Sequence, residues 1–97
     1  MNDEDLQMLF FKTIANKTRF KIVKSLEDKP KSVNQLVKDT GYEQTLVSHN
    51  LKVLKENGFV EVKQDGKYRY YNLDKENVAP MMNAIERHVQ KQKKHEQ

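Results

Sequence analysis

Apolar residues along the chain recur with helical spacing in five stretches and with strand-like spacing in one pair. Leu6, Phe10 and Ile14 lie four apart, while Met8, Phe11 and Ala15 mark a second side of the same pattern. This predicts a helix over residues 3–15, with Asp3, Glu4 and Asp5 in its first turn, where the helix dipole favours acids. Asn16 is a good N-cap for a second helix of about residues 17–27, in which Phe20, Val23 and Leu26 face inward and Arg19 falls beside them. Asp28-Lys29-Pro30-Lys31 breaks that pattern. Ser32 and Gln35 have the spacing of a capping box and open a third helix, buried through Val33, Leu36 and Val37 and ended at Thr40-Gly41. A fourth helix begins near Gln44: Val47, Leu51 and Leu54 recur at i, i+4, i+7, Leu46 and Val53 broaden the stripe, and Asn57-Gly58 stops it. Two short helices joined by a glycine turn, over about residues 32–57, make a helix-turn-helix.

Two runs rich in β-formers follow over residues 59–73, around Gln64-Asp65-Gly66, a strong hairpin signal. After Asp74, a further N-cap candidate, Val78, Met81, Met82, Ile85 and Val89 form a stripe along a helix of about residues 75–90. Pro80 inside that pattern either marks the true first turn or kinks the helix. Residues 91–97 hold no apolar side chain and are expected to be disordered. The fold class is thus mainly α with a small β-hairpin, in the order α-α-α-α-β-β-α, as one domain over residues 1–97.

A first helix apolar on two sides needs two surfaces to bury it, and a domain of 97 residues offers one. A second copy of the chain supplies the other. Leu6, Met8, Leu9 and Phe11 are the candidate dimer contacts on the first helix, and Met81, Met82, Ile85 and Val89 on the last.

Composition narrows the classes. Hydrophobic residues make up 36% and charged residues 33%, so the core is thin. There is no cysteine, which removes disulfides, thiolate metal sites and thiol sensing. No apolar run approaches the ~20 residues of a membrane span, and a cytoplasmic location is expected. The net charge of +4 suits nucleic acid, but it concentrates in residues 12–31, where seven Lys and Arg oppose Glu27 and Asp28; the helix-turn-helix and hairpin are nearly balanced. No nucleophile sits beside a base and no glycine-rich phosphate loop exists, so no enzyme chemistry is assigned.

The outer side of the fourth helix carries Gln44, Thr45, Ser48, His49 and Lys52, rich in hydrogen-bond donors and free of acid. Such a face suits base edges and phosphates of double-stranded DNA. The hairpin tip adds Lys63, Lys67 and Arg69, placed to reach phosphates or the minor groove. Asn50 falls on the apolar side of the helix and is left out of the reading set.

Three stretches, Ala15 to Arg19 with Ile22-Val23, Gln44 to Lys55 with Gly58-Phe59-Val60, and Asp65 to Leu73, resemble the ArsR-type bacterial and archaeal transcriptional repressors. Ala15-Asn16-Lys17-Thr18-Arg19 with Ile22-Val23 is similar to that family's Ala-Asp-Pro-Thr-Arg…Ile-Leu signature. Gln44 to Lys55, with Gly58-Phe59-Val60, is similar to its reading helix, and Asp65 to Leu73 resembles its wing. The resemblance covers about residues 6–90. It implies a winged helix-turn-helix, a homodimer joined through the first and last helices, two reading helices in successive major grooves of a pseudo-palindromic operator, and repression by occupying a promoter. The chain also departs from the family. Glu43 stands where Ser is usual before the reading helix, and His49 where the family has Arg or His. The positions of the family's thiolate pair hold Ser32 and Asn34, and those of its other metal ligands hold Lys75, Asn77, His88 and Lys91. No metal and no cofactor is therefore expected, and the trigger, a small molecule in the dimer interface, a partner protein or none at all, is left open. Two other readings stand beside this one: a winged helix that docks on the transcription machinery, or a metal-responsive repressor with a non-standard site at His88, His95 and Glu96.

Overall fold

The computed structural model describes residues 1–96; Gln97 lies outside them. The order is α1 (Asp3–Ile14), α2 (Lys17–Ser25), α3 (Val33–Thr40), α4 (Gln44–Glu56), β1 (Val60–Asp65), β2 (Tyr68–Leu73) and α5 (Val78–Glu96), the order of a winged helix-turn-helix.

Local hydrogen bonds explain most boundaries. Asn2 and Asp5 form a capping box on α1, with the Asp5 amide donating to Asn2 Oδ1 at 2.8 Å. Asn16 Oδ1 accepts from the Arg19 amide at 3.0 Å to start α2. Ser32 and Gln35 close the box that opens α3. Asp74 Oδ2 accepts from the amides of Asn77 and Val78, both at 3.0 Å, which holds residues 75–77 as a turn. The last helix therefore begins at Val78 rather than 75, and Pro80 lies in its first turn, where a missing N–H leaves no intrahelical bond unmade.

The far end of α5 corrects an expectation. Residues 91–96, expected to be disordered, continue the helix to Glu96, while Gln97 is outside the described residues. An apolar stripe is needed to bury a helix, not to form one. Lys, Gln and Glu are good helix formers, and Lys93, Lys94 and His95 in the last turn complement the negative end of the dipole. Gln90 Nε2 adds an i, i+4 bond to Glu86 Oε1 at 2.9 Å.

The strands pair antiparallel from Val60 opposite Leu73 to Asp65 opposite Tyr68. The loop is thus Gly66-Lys67 rather than Gln64-Asp65-Gly66, with Gly66 at φ 61° in the first loop position. Lys31 pairs with Tyr71 through both backbone bonds, 3.1 and 2.8 Å, so the wing base is tied to the segment before α3.

The core gathers Ile22, Val23 and Leu26 of α2, Leu36 of α3, Val47, Leu51 and Leu54 of α4, and Phe59, Val60, Leu73, Val78 and Met82 around them. Phe10 joins α1 to it, stacked on Phe59 with ring centroids 4.5 Å apart. Three expectations change here. Phe20 is 42% exposed, because the buried arc of α2 runs over Ile22, Val23 and Leu26 and Phe20 points ~110° from its centre. Leu46 is exposed on the flank of α4 rather than part of its stripe. Met82, expected at the dimer face, is 2% exposed and belongs to this chain's own core, facing inward with Val78 one turn before it.

Candidate nucleic-acid interface

The helix-turn-helix corner is set by its own backbone. Gly41, at φ 75°, takes the left-handed conformation that ends α3, and its amide donates to the Val37 carbonyl at 2.9 Å. Thr40 Oγ1 donates to the Leu36 carbonyl at 2.7 Å and accepts from the Tyr42 amide at 3.2 Å. Lys21 Nζ stands 5.7 Å from the centre of the Tyr42 ring, bracing the corner from α2. Glu43 occupies the N-cap of α4 but makes no side-chain hydrogen bond to it.

With Val47, Leu51 and Leu54 fully buried, the roll of α4 is fixed, and Gln44, Thr45, Ser48, His49 and Lys52 all emerge on its exposed side. The structure brings these five together along just over two turns of one helix. The wing cations Lys63, Lys67 and Arg69 are exposed as well, but they do not form one patch. Lys63 pairs with Tyr70 and Arg69 with Gln64, so Lys63 and Arg69 leave opposite faces of the hairpin, with Lys67 at the loop between them. Lys67 Nζ lies 5.5 Å from the centre of the Tyr68 ring.

Behind the reading face are two polar networks. The first joins α1, α2 and α4: Arg19 Nε donates to the Thr13 carbonyl at 2.6 Å, Arg19 Nη1 to Asn50 Oδ1 at 3.1 Å, and Asn50 Nδ2 to the Leu46 carbonyl at 2.9 Å. The sequence carried a signal for it. Arg19, Ile22 and Leu26 are spaced i, i+3, i+7, which puts the arginine on the buried stripe rather than beside it. The second network centres on Lys31, whose Nζ donates to Asp39 Oδ2 at 2.6 Å, to the Ser25 carbonyl at 2.5 Å and to Asp28 Oδ1 at 3.1 Å. The hydrogen bond to Asp39 outweighs burial and raises the Lys31 pKa, while Lys31 holds both Asp39 and Asp28 below their ordinary value.

Leu6, Met8, Leu9 and Phe11 of α1 are exposed, as are Ile85 and Val89 of α5, and Met81 is half-buried against the core. Leu6, Gln7, Phe10 and Phe11 line a shallow apolar groove. Among the described residues no group of three or more His, Cys, Asp or Glu is placed to hold a metal ion, and no helix is long and apolar enough to cross a membrane.

Fold and outward face together define a winged helix-turn-helix DNA-binding regulator. Residues 16–62 match the model of the family described as bacterial regulatory protein, arsR family. The chain is 33% identical over 93 residues to an uncharacterized HTH-type transcriptional regulator of Mycobacterium tuberculosis, Rv0081, covering 92% of this chain and 81% of that one. The crystal structure of Rv0081 superposes with a TM-score of 0.83 at 30% identity, covering 96% of this chain and 93% of that one. A solution structure from Mycobacterium bovis, described as a homodimeric winged helix-turn-helix DNA-binding domain, gives a TM-score of 0.82 at 27% identity over 98% and 93% of the two chains. A biofilm growth-associated repressor of Xylella fastidiosa is 32% identical over 74 residues, covering 76% of this chain and 65% of that one. The chain belongs to the ArsR family of transcriptional regulators.

Proposed function

We propose that this protein is a homodimeric repressor that reads a pseudo-palindromic operator through Gln44, Thr45, Ser48, His49 and Lys52. The observation that carries the reading is the division of α4: three apolar residues fully buried, five polar ones turned outward together. Gln44 suits adenine, Thr45 and Ser48 suit base or phosphate, and Lys52 suits phosphate or guanine. Lys67 and either Lys63 or Arg69 add sequence-independent attraction from the wing. The exposed apolar faces of α1 and α5 join two copies, and repression follows from occupying a promoter; the M. bovis relative is described as homodimeric and the X. fastidiosa relative as a repressor, which supports this reading. With no cysteine in the chain, the effector is not sensed through a thiol.

Selection from a random duplex pool tests this directly. The expected result is an enriched motif with two-fold symmetry and half-sites about one helical turn apart (~34 Å). Absence of enrichment at low salt overturns the reading in favour of a winged helix that docks on protein.

A further inference from the structure

The apolar faces of α1 and α5 belong to the proposed dimer, and His88 and His95 gather no third ligand among the described residues. The Arg19 network remains, and neither the dimer nor the reading face accounts for it. Three elements meet at this residue. The Arg19 amide completes the Asn16 cap of α2, Nε reaches Thr13 in the last turn of α1, and Nη1 reaches Asn50 on the inner side of α4. The Thr13 carbonyl is one of those a helix end leaves without an intrahelical donor, and a guanidinium there also complements the negative end of the α1 dipole.

Asn50 is 4% exposed, next in the chain to His49. An apolar side chain in its place would complete the stripe of Val47, Leu51 and Leu54. The polar pair gives up that packing for direction. Apolar contacts tolerate small rolls and slides of a helix, whereas hydrogen bonds with fixed angles do not.

We propose that Arg19 is a positioning residue for DNA reading: it ties the orientation of α4 to the C-terminal end of α1, and so sets the angle at which Ser48 and His49 of the two protomers meet the groove. This rests on the DNA-reading homodimer proposed above.

The test compares Arg19→Lys, which keeps the charge without the planar fork, Asn50→Leu, which is nearly isosteric, and the double variant. The probes are a duplex recovered from the random pool and a scrambled duplex of equal length. Each single variant is expected to lower the preference for the selected duplex about tenfold. Affinity for the scrambled duplex and its salt slope should stay at the wild-type level, because neither residue is placed on phosphate. The double variant should lose no more than the larger single loss, since the two act as one unit. Should Arg19→Lys fail to fold by circular dichroism, Asn50→Leu carries the test. An equal loss on both duplexes indicates general destabilisation and overturns the inference. So does a wild-type preference retained by Asn50→Leu, in which case the DNA-reading assignment stands alone. If the wild type prefers no duplex, that assignment falls and takes this inference with it.

Discussion

Lys31 Nζ and Asp39 Oδ2 lie 2.6 Å apart, and through this contact one ammonium fastens three parts of the domain. The same nitrogen holds the Ser25 carbonyl at the end of α2, Asp39 belongs to α3, and the Lys31 backbone pairs with Tyr71 of the wing. The helix-turn-helix and the wing are thereby locked to one another, which a DNA reader with two contact elements requires.

Acid should release this lock. The Lys31 ammonium first, then the Ser25 hydroxyl, hold the Asp39 carboxyl below its ordinary value of 3.8. A depressed acid stabilises the fold above its unfolded value, and that contribution disappears as pH falls through the folded one. Asp39→Asn is therefore expected to lower the unfolding temperature near neutral pH, with the gap to wild type closing as pH drops below about 4. A gap that widens in acid contradicts the assignment. At the other end, Lys31 is raised above 10.5, so its contribution should persist until pH passes that value.

Dimer and fold should separate by mutation. Leu6 is 49% and Phe11 57% exposed in the single chain, so Leu6→Glu and Phe11→Asp should yield folded monomers by sedimentation and circular dichroism. Met82→Ala should act differently, costing about 2–5 kcal/mol of stability, because it empties a core site. Monomeric wild type at working concentration would remove the dimer proposal.

The register of the wing yields a charge-counting prediction. Lys67→Ala should reduce the salt slope of DNA binding by about one unit per protomer, or about two for the dimer. Because Lys63 and Arg69 leave opposite faces, the pair Lys63→Ala and Arg69→Ala together should lower it by about one unit per protomer rather than two. Ser48→Ala should instead cost about 1–3 kcal/mol on the selected duplex and relax sequence choice. Filter binding across a salt series distinguishes the two kinds of loss.

At Gly41 the backbone alone is at stake. A Cβ added there meets nothing within 4 Å, yet φ is 75°. Gly41→Ala should destabilise by about 1–2 kcal/mol from left-handed strain, and Gly41→Asn by less. Equal losses measured by urea denaturation would indicate lost contacts instead.

What could be read without coordinates were features decided within a few residues. The Ser32–Gln35 box and the Asn16 cap depend on side chains bonding to backbone three positions away, and the Gly41 corner on a left-handed backbone that glycine takes freely; these are present, whereas Asp74 holds a turn over residues 75–77 instead of capping a helix that starts at 75. The polar set on α4 was legible for the same reason, since i, i+4, i+7 spacing separates two sides of one helix.

Tertiary structure decided what spacing leaves open. A helical stripe gives a buried arc, but the neighbouring helix sets its centre, which is why Phe20 and Leu46 turned outward while Arg19 bonded inward and Met82 entered the core. Along the wing, a three-residue loop at 64–66 puts Lys63 and Arg69 on one face. The observed loop at Gly66-Lys67 pairs Lys63 with Tyr70 and parts them, because side chains alternate and an odd shift of register, here three positions, exchanges the faces. Residue order thus determined the elements and their caps; packing between elements, which no local pattern encodes, determined which side each one shows to DNA, to a second copy and to its own core.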